Sequence, residues 1–157
     1  MKKHVCCLLA LLVIGLILSG CQNSAENAPK AAALPLREAV EKSLTDKEGL
    51  VAYTADDLTD LMGILPEDCT EAVFLVGSDS LSGREIIAAR AKDASSLKKI
   101  TEALNNYLAQ RQQETRNYLP DAYKLQTQAK VETKNLTAVL IVGAHSAEET
   151  KAFLAGE

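Results

Sequence analysis

The chain predicts an α+β fold: a two-layer domain of about four mainly antiparallel strands with helices on one face, in the order strand-strand-helix repeated. Three observations predict it. First, two short β-rich apolar runs, Val-Phe-Leu-Val at 73–76 and Glu-Ile-Ile-Ala at 85–88, bracket a polar turn at 78–83. Second, residues 94–118 place Leu97, Ile100, Leu104, Tyr107 and Leu108 at three- and four-residue steps, the stripe of a long helix with one apolar face. Third, a further strand pair at 129–133 and 137–142 flanks Lys134-Asn135, where Asn135 tolerates the left-handed conformation of a tight turn. Helices packed on a sheet of this kind form a layered α+β domain. Strand order does not follow from the pattern.

The N-terminus comes first in the chain. Lys2-Lys3 precede an apolar run at 5–18, and Leu18-Ser19-Gly20 supplies small residues before a cut, the layout of a secretory signal peptide over residues 1–20. The run is shorter than the ~20 residues of a membrane-spanning helix. With Cys21 directly after Leu-Ser-Gly, the signal resembles that of bacterial lipoproteins. That resemblance implies cleavage before Cys21 and lipid on its sulfur and new amino group. One acyl chain binds a membrane only marginally, whereas two or three hold it stably. The expected location is therefore the extracytoplasmic face of the cell membrane, lipid-anchored through Cys21.

Composition narrows the partners. The chain has 157 residues and a formal net charge of −4; without the two leader lysines, 15 basic residues face 21 acidic ones. No basic run in the mature part exceeds Lys98-Lys99, which argues against nucleic acid. An acidic domain is also poorly suited to anionic lipid, so attachment falls to the acyl chains. Of the four cysteines, Cys6 and Cys7 leave with the leader and Cys21 carries lipid. Cys69 then has no partner for an intramolecular disulfide.

Residues 21–35 mix Gln, Asn, Ser, Ala and Pro without apolar period and read as a flexible linker. A single domain is expected over 36–157. Leu36, Val40 and Leu44 recur every fourth residue, with Glu38 and Lys42 paired four apart, and predict a short helix. Thr54 with Asp57 forms a capping box for a second helix, which buries Leu58, Leu61 and Met62 and stops at Gly63. Pro66 opens a turn. Asp93 caps the long helix, whose Lys98, Lys99, Arg111 and Gln112 are expected toward water, and Pro120 stops it. A short helix with Tyr123 follows. Ser146 and Glu149 predict a second capping box for a last helix carrying Ala152, Phe153 and Leu154.

Leu61-Met62-Gly63-Ile64, Arg90-Ala91-Lys92-Asp93, Tyr118-Leu119-Pro120-Asp121-Ala122-Tyr123 and the strand at 139–142 together make the chain resemble a known family. It is a family of small Gram-positive lipoproteins catalogued as domain of unknown function 4358, and the resemblance spans about 36–154. Its best marker is the Tyr-x-Pro-x-x-Tyr segment after the long helix. No activity, cofactor or catalytic residue comes with it.

Few residues offer chemistry. Cys69 would need a base to become a nucleophile, and the one mature histidine, His145, is remote in sequence; a small buried hydrophobe at the mouth of a strand is the plainer reading. One histidine without companions makes no zinc site. Asp56, Asp57, Asp60, Glu67 and Asp68 lack the alternation of a calcium loop and read as a solvated face. Asn135-Leu136-Thr137 matches a glycosylation acceptor by chance. Tyr118, Pro120 and Tyr123 either close the helix packing or form a binding patch, the best candidate site in the sequence. No phosphate loop, serine elbow or metalloprotease helix motif occurs, and no cofactor or metal is expected. The sequence thus points to a non-enzymatic interaction or accessory domain with an envelope protein as partner. The alternatives are a small-molecule or peptide binder and, last, a thiol enzyme using Cys69.

Overall fold

A strand that is apolar at every position needs cover on both sides, and that requirement shapes this domain. The computed structural model describes residues 34–157. The leader, Cys21 and the linker up to residue 33 lie outside the described residues. The described residues hold five strands: β1 (Leu50–Ala52), β2 (Cys69–Gly77), β3 (Glu85–Ala91), β4 (Val131–Lys134) and β5 (Thr137–Val142). They make one antiparallel sheet in the order β1-β2-β3-β5-β4. The β2–β3 hairpin sets Phe74 opposite Ile87, and β5 runs between β3 and β4 with Ile141 opposite Ile86. Five helices complete the unit: α1 (Leu36–Ser43), α2 (Ala55–Met62), α3 (Ala94–Thr115), α4 (Pro120–Gln128) and α5 (Ser146–Gly156).

Successive residues of β2, β3 and β5 point to opposite sides. Phe74, Ile87, Leu140 and Val142 pack with Leu58 of α2 and with Ile100, Leu104 and Leu108 of α3. Val73, Leu75, Ile86, Val139 and Ile141 pack with Leu36 and Val40 of α1 and with Phe153 of α5. The α+β class holds, with two corrections to the expected detail. Helices cover both faces of the sheet, because β3 and β5 carry unbroken apolar runs at 86–89 and 138–142 rather than alternating. A fifth strand, β1, is added at the edge; three residues are too few to show a period in the sequence.

Local signals act as expected where their partners are close in sequence. Thr54 Oγ1 accepts from the Asp57 N–H, and an Asp57 carboxylate oxygen accepts from the Thr54 N–H at 2.7 Å. Gly63 ends α2 at φ 69, a left-handed value, and Asn135 turns the β4–β5 hairpin at φ 53. Asp93 Oδ1 accepts from the Ser96 N–H at 2.8 Å, capping α3. Thr54→Ala is expected to cost about 1 kcal/mol, seen as a lower urea midpoint with an unchanged slope.

Three expectations are corrected by tertiary partners. Ser146 and Glu149 form no capping box: α5 begins without a side-chain cap. Glu149 is buried and accepts from Thr45 and Arg84 instead. Arg111 turns inward, its Nε donating to Glu85 at 2.9 Å, and Gln112 donates to the Gln126 carbonyl at 3.0 Å. Tyr118 lies past the end of α3 and is 83% exposed, so it closes no apolar face.

Arg90 gathers the start and end of the described unit. Its guanidinium donates to the Leu34 carbonyl, Glu71 and Glu157, while Glu71 also accepts from the Leu36 N–H. The Arg90 hydrogen bonds hold the Glu157 carboxyl below its ordinary range against the opposing effect of burial. Burial pushes the Glu149 carboxyl up, but hydrogen bonds from Arg84 and Thr45 outweigh it and the net shift is downward. A depressed carboxyl contributes stability that is complete above its unfolded value, near 4.5, and is lost as pH falls through the folded value. Unfolding free energy is therefore expected to hold steady between about pH 7 and 5.5 and to fall below about pH 4.5. Urea unfolding across that range checks the sign.

Candidate functional site

The loop after β2 is built by short-range hydrogen bonds. Asp79 Oδ1 accepts from the Leu81 N–H at 2.9 Å, and the Asp79 carbonyl accepts from the Ser82 N–H and hydroxyl. Gly83 leaves the loop at φ +64 and lies against α4: a Cβ there would stand 2.5 Å from the Ala122 Cβ. Only glycine meets both conditions. The loop is thereby pinned beside α4, and a half-open cavity of about 250 Å³ remains between it, the β1–β2 edge and α3.

An aromatic wall and a buried ion pair line this cavity. Tyr53 meets Phe74 edge to face with ring centroids 4.8 Å apart, and Phe74 meets Tyr107 at 6.4 Å. Glu85, the first residue of β3, shares the side of the sheet that faces α3 and is 5% exposed. One of its carboxylate oxygens accepts from Arg111 Nε; the other is enclosed with no donor at hydrogen-bond distance, although the Tyr107 hydroxyl lies near enough to act on the carboxylate. Arg111 also donates through Nη1 to Glu114 at 2.8 Å. Hydrogen bonds from Gln110 and Arg111 hold the Glu114 carboxyl below its ordinary range. Burial, reinforced by the neighbouring Glu85 charge, pushes the Tyr107 hydroxyl well up, so it keeps its proton throughout the neutral range. The cavity thus offers a protonated phenol, aromatic surface and a carboxylate oxygen free to accept, a set suited to holding a hydrogen-bond donor.

A second, more open cavity of about 350 Å³ runs between α2 and α3 past Met62, Ile64, Asp68 and Lys99. Its Asp68 and Lys99 are already paired with each other. Asp68 accepts from the Ser96 hydroxyl at 2.8 Å and from Lys99 at 3.1 Å, and these bonds lower its carboxyl.

The residues singled out in the sequence are distributed elsewhere. Cys21 lies outside the described residues. Tyr118 and Pro120 are exposed and Tyr123 is half-buried; Pro120 and Tyr123 belong to α4, and the 250 Å³ cavity is lined by other residues. Cys69 is half-buried at the start of β2, where burial and the Asp68 charge push its thiol up, opposite to activation. It packs on the α3 side of the sheet, whereas His145 precedes α5, whose Phe153 packs on the other side. Asp56 and Asp60 are exposed, and Asp57 is held in the capping box. Among the described residues, no group of three or more His, Cys, Asp or Glu is placed to hold a metal ion. Among them, too, no helix is long and apolar enough to cross a membrane.

Glu85 and Arg111 are the functional candidates that sequence reasoning missed. A signal existed: Arg111 follows Tyr107 by four and Leu108 by three, so it continues the apolar stripe of α3. An acidic residue opening an apolar strand is its natural partner. No curated protein and no solved structure matches the chain. Residues 43–143 match the model of a family described as a domain of unknown function, DUF4358, and the chain belongs to that family.

Proposed function

We propose that the protein is a lipoprotein of a Gram-positive envelope, anchored through acyl chains on Cys21 at the extracytoplasmic face of the membrane, where its domain binds rather than catalyses. The observation that carries this reading is Leu18-Ser19-Gly20-Cys21 at the end of a short apolar leader. The raised Cys69 thiol, on the side of the sheet away from the helix that His145 precedes, supports a non-enzymatic role. In this reading the domain serves as an interaction or accessory module for another envelope protein. The 250 Å³ cavity favours a second reading, a lipoprotein that binds a small molecule or peptide.

Two measurements on the membrane-extracted protein test the binding role. Affinity capture after crosslinking in intact cells is expected to recover a specific envelope protein if the module is an adaptor. Thermal unfolding against metabolites and cell-wall fragments is expected to give a stabilising hit if it holds a ligand, since a ligand at about 100 times its Kd adds about 2.7 kcal/mol. A chain that gains neither partner nor stabilisation contradicts the binding role.

A further inference from the structure

The geometry points to the cavity beneath the β2–β3 loop as a site for a small organic cation, a primary ammonium on a short aliphatic stem, with Glu85 as its buried anchor. The inference rests on the small-ligand reading above and gives it a chemical class. Three features of the cavity converge on it.

The first is the unused acceptor. Glu85 is 5% exposed, yet one carboxylate oxygen has no donor at hydrogen-bond distance. A buried acceptor left unmatched is unfavourable, and a ligand N–H supplies what is missing. The terminal torsion of a glutamate is broad, so the carboxylate can turn to present that enclosed oxygen to a ligand, moving the oxygen that accepts from Arg111 with it.

The second is the sign of the charge. Glu85, Glu114 and Asp79 line the cavity against the guanidinium of Arg111, which Glu85 and Glu114 already share. The Arg84 guanidinium, which also lines the cavity, has its charge met by Glu149 and donates to the Asp46 carbonyl, while its enclosed Nε has no partner. An incoming anion meets an excess of carboxylates, whereas a cation is drawn in. The third is the wall: Tyr53, Phe74 and Tyr107 provide apolar surface for a stem and π-systems that attract an ammonium. At about 250 Å³ the space falls below the usual range for drug-sized ligands. It suits an alkyl amine or diamine better than a nucleotide or an oligosaccharide.

Calorimetry and amide NMR on the protein extracted from membranes in detergent test this, with 1,4-diaminobutane as probe and 1,4-butanediol and succinate as neutral and anionic controls. The diamine is expected to shift the amides of Tyr53, Glu85 and Arg111 and to bind at least tenfold more tightly than either control. N-acetyl-lysine amide, the same ammonium on a peptide side chain, separates a free metabolite from a peptide as its source. Glu85→Gln, which keeps an oxygen for Arg111, is expected to weaken diamine binding at least tenfold. Tyr53→Ala, at a half-exposed position, is expected to weaken it several-fold without loss of folding, and keeps the test valid should Glu85→Gln unfold. Equal or tighter binding of the diol or succinate at these amides overturns the cation assignment while leaving a small-ligand site in place. If no probe moves these amides, both the assignment and the small-ligand reading fall, and diamine shifts confined to another surface overturn the assignment.

Discussion

Glu149→Ala is expected to destabilise the domain by about 3–5 kcal/mol, the usual cost of removing one partner from a buried ion pair. The Glu149 side chain is 0% exposed. One oxygen accepts from the Thr45 N–H at 3.0 Å, the Thr45 hydroxyl at 2.7 Å and Arg84 Nη2 at 2.9 Å; the other accepts from Arg84 Nη1 at 3.2 Å. Alanine leaves a mostly buried guanidinium whose Nε is already without a partner, with the Asp46 carbonyl as its remaining acceptor. The backbone cannot readily relax around it, because the guanidinium lies directly against Gly143, where a Cβ would collide. Since whole domains are stable by only about 5–15 kcal/mol, much of the fold's margin rests here. The double change Arg84→Met with Glu149→Met removes both charges and is expected to recover most of the loss. Urea unfolding of the three chains decides it: a single-variant loss below about 1 kcal/mol contradicts this account of the α1–β1 loop and α5.

Cys21→Ser is expected to abolish incorporation of labelled fatty acid while leaving the urea midpoint of the domain unchanged. A hydroxyl cannot take the thioether-linked lipid that a lipoprotein signal directs to cysteine, and residue 21 precedes the described unit, which begins at Leu34. Stable anchoring takes more than one acyl chain, so removal of the lipidated position removes the anchor as a whole. Undiminished incorporation in the variant places the lipid elsewhere or rules out this signal reading.

The parts of the fold that were legible in the sequence depend on neighbours a few residues apart. The Thr54 and Asp57 box, the Asp93 cap, the stop at Gly63 and the left-handed Asn135 each close within about one turn of chain, and propensity alone carries them. The pattern at Ser146 and Glu149 was equally clear locally and gave the wrong partner. Arg84, 65 residues earlier, and Thr45, 104 residues earlier, offer a buried carboxylate more than its own helix terminus does. The same limit hid the cavity. Glu85 and Arg111 stand 26 residues apart and become a pair only when α3 crosses β3. The expectation of helices on one face passed over the continuous apolar runs in β3 and β5, whose second face is covered by the Leu36 and Val40 stripe of α1 and by Phe153 of α5. Tyr118 looked like the natural close of the α3 stripe; α3 ends at Thr115 and leaves the ring in solvent.

The central claim is that lipid on residue 21 holds a binding domain outside the cell, and the intact mass of the protein extracted from membranes tests it most directly. The account predicts a chain that begins at Cys21 and exceeds its peptide mass by two or three acyl groups. A mature N-terminus free of acyl groups, or a full-length chain recovered from the cytosol with residues 1–20 attached, contradicts it.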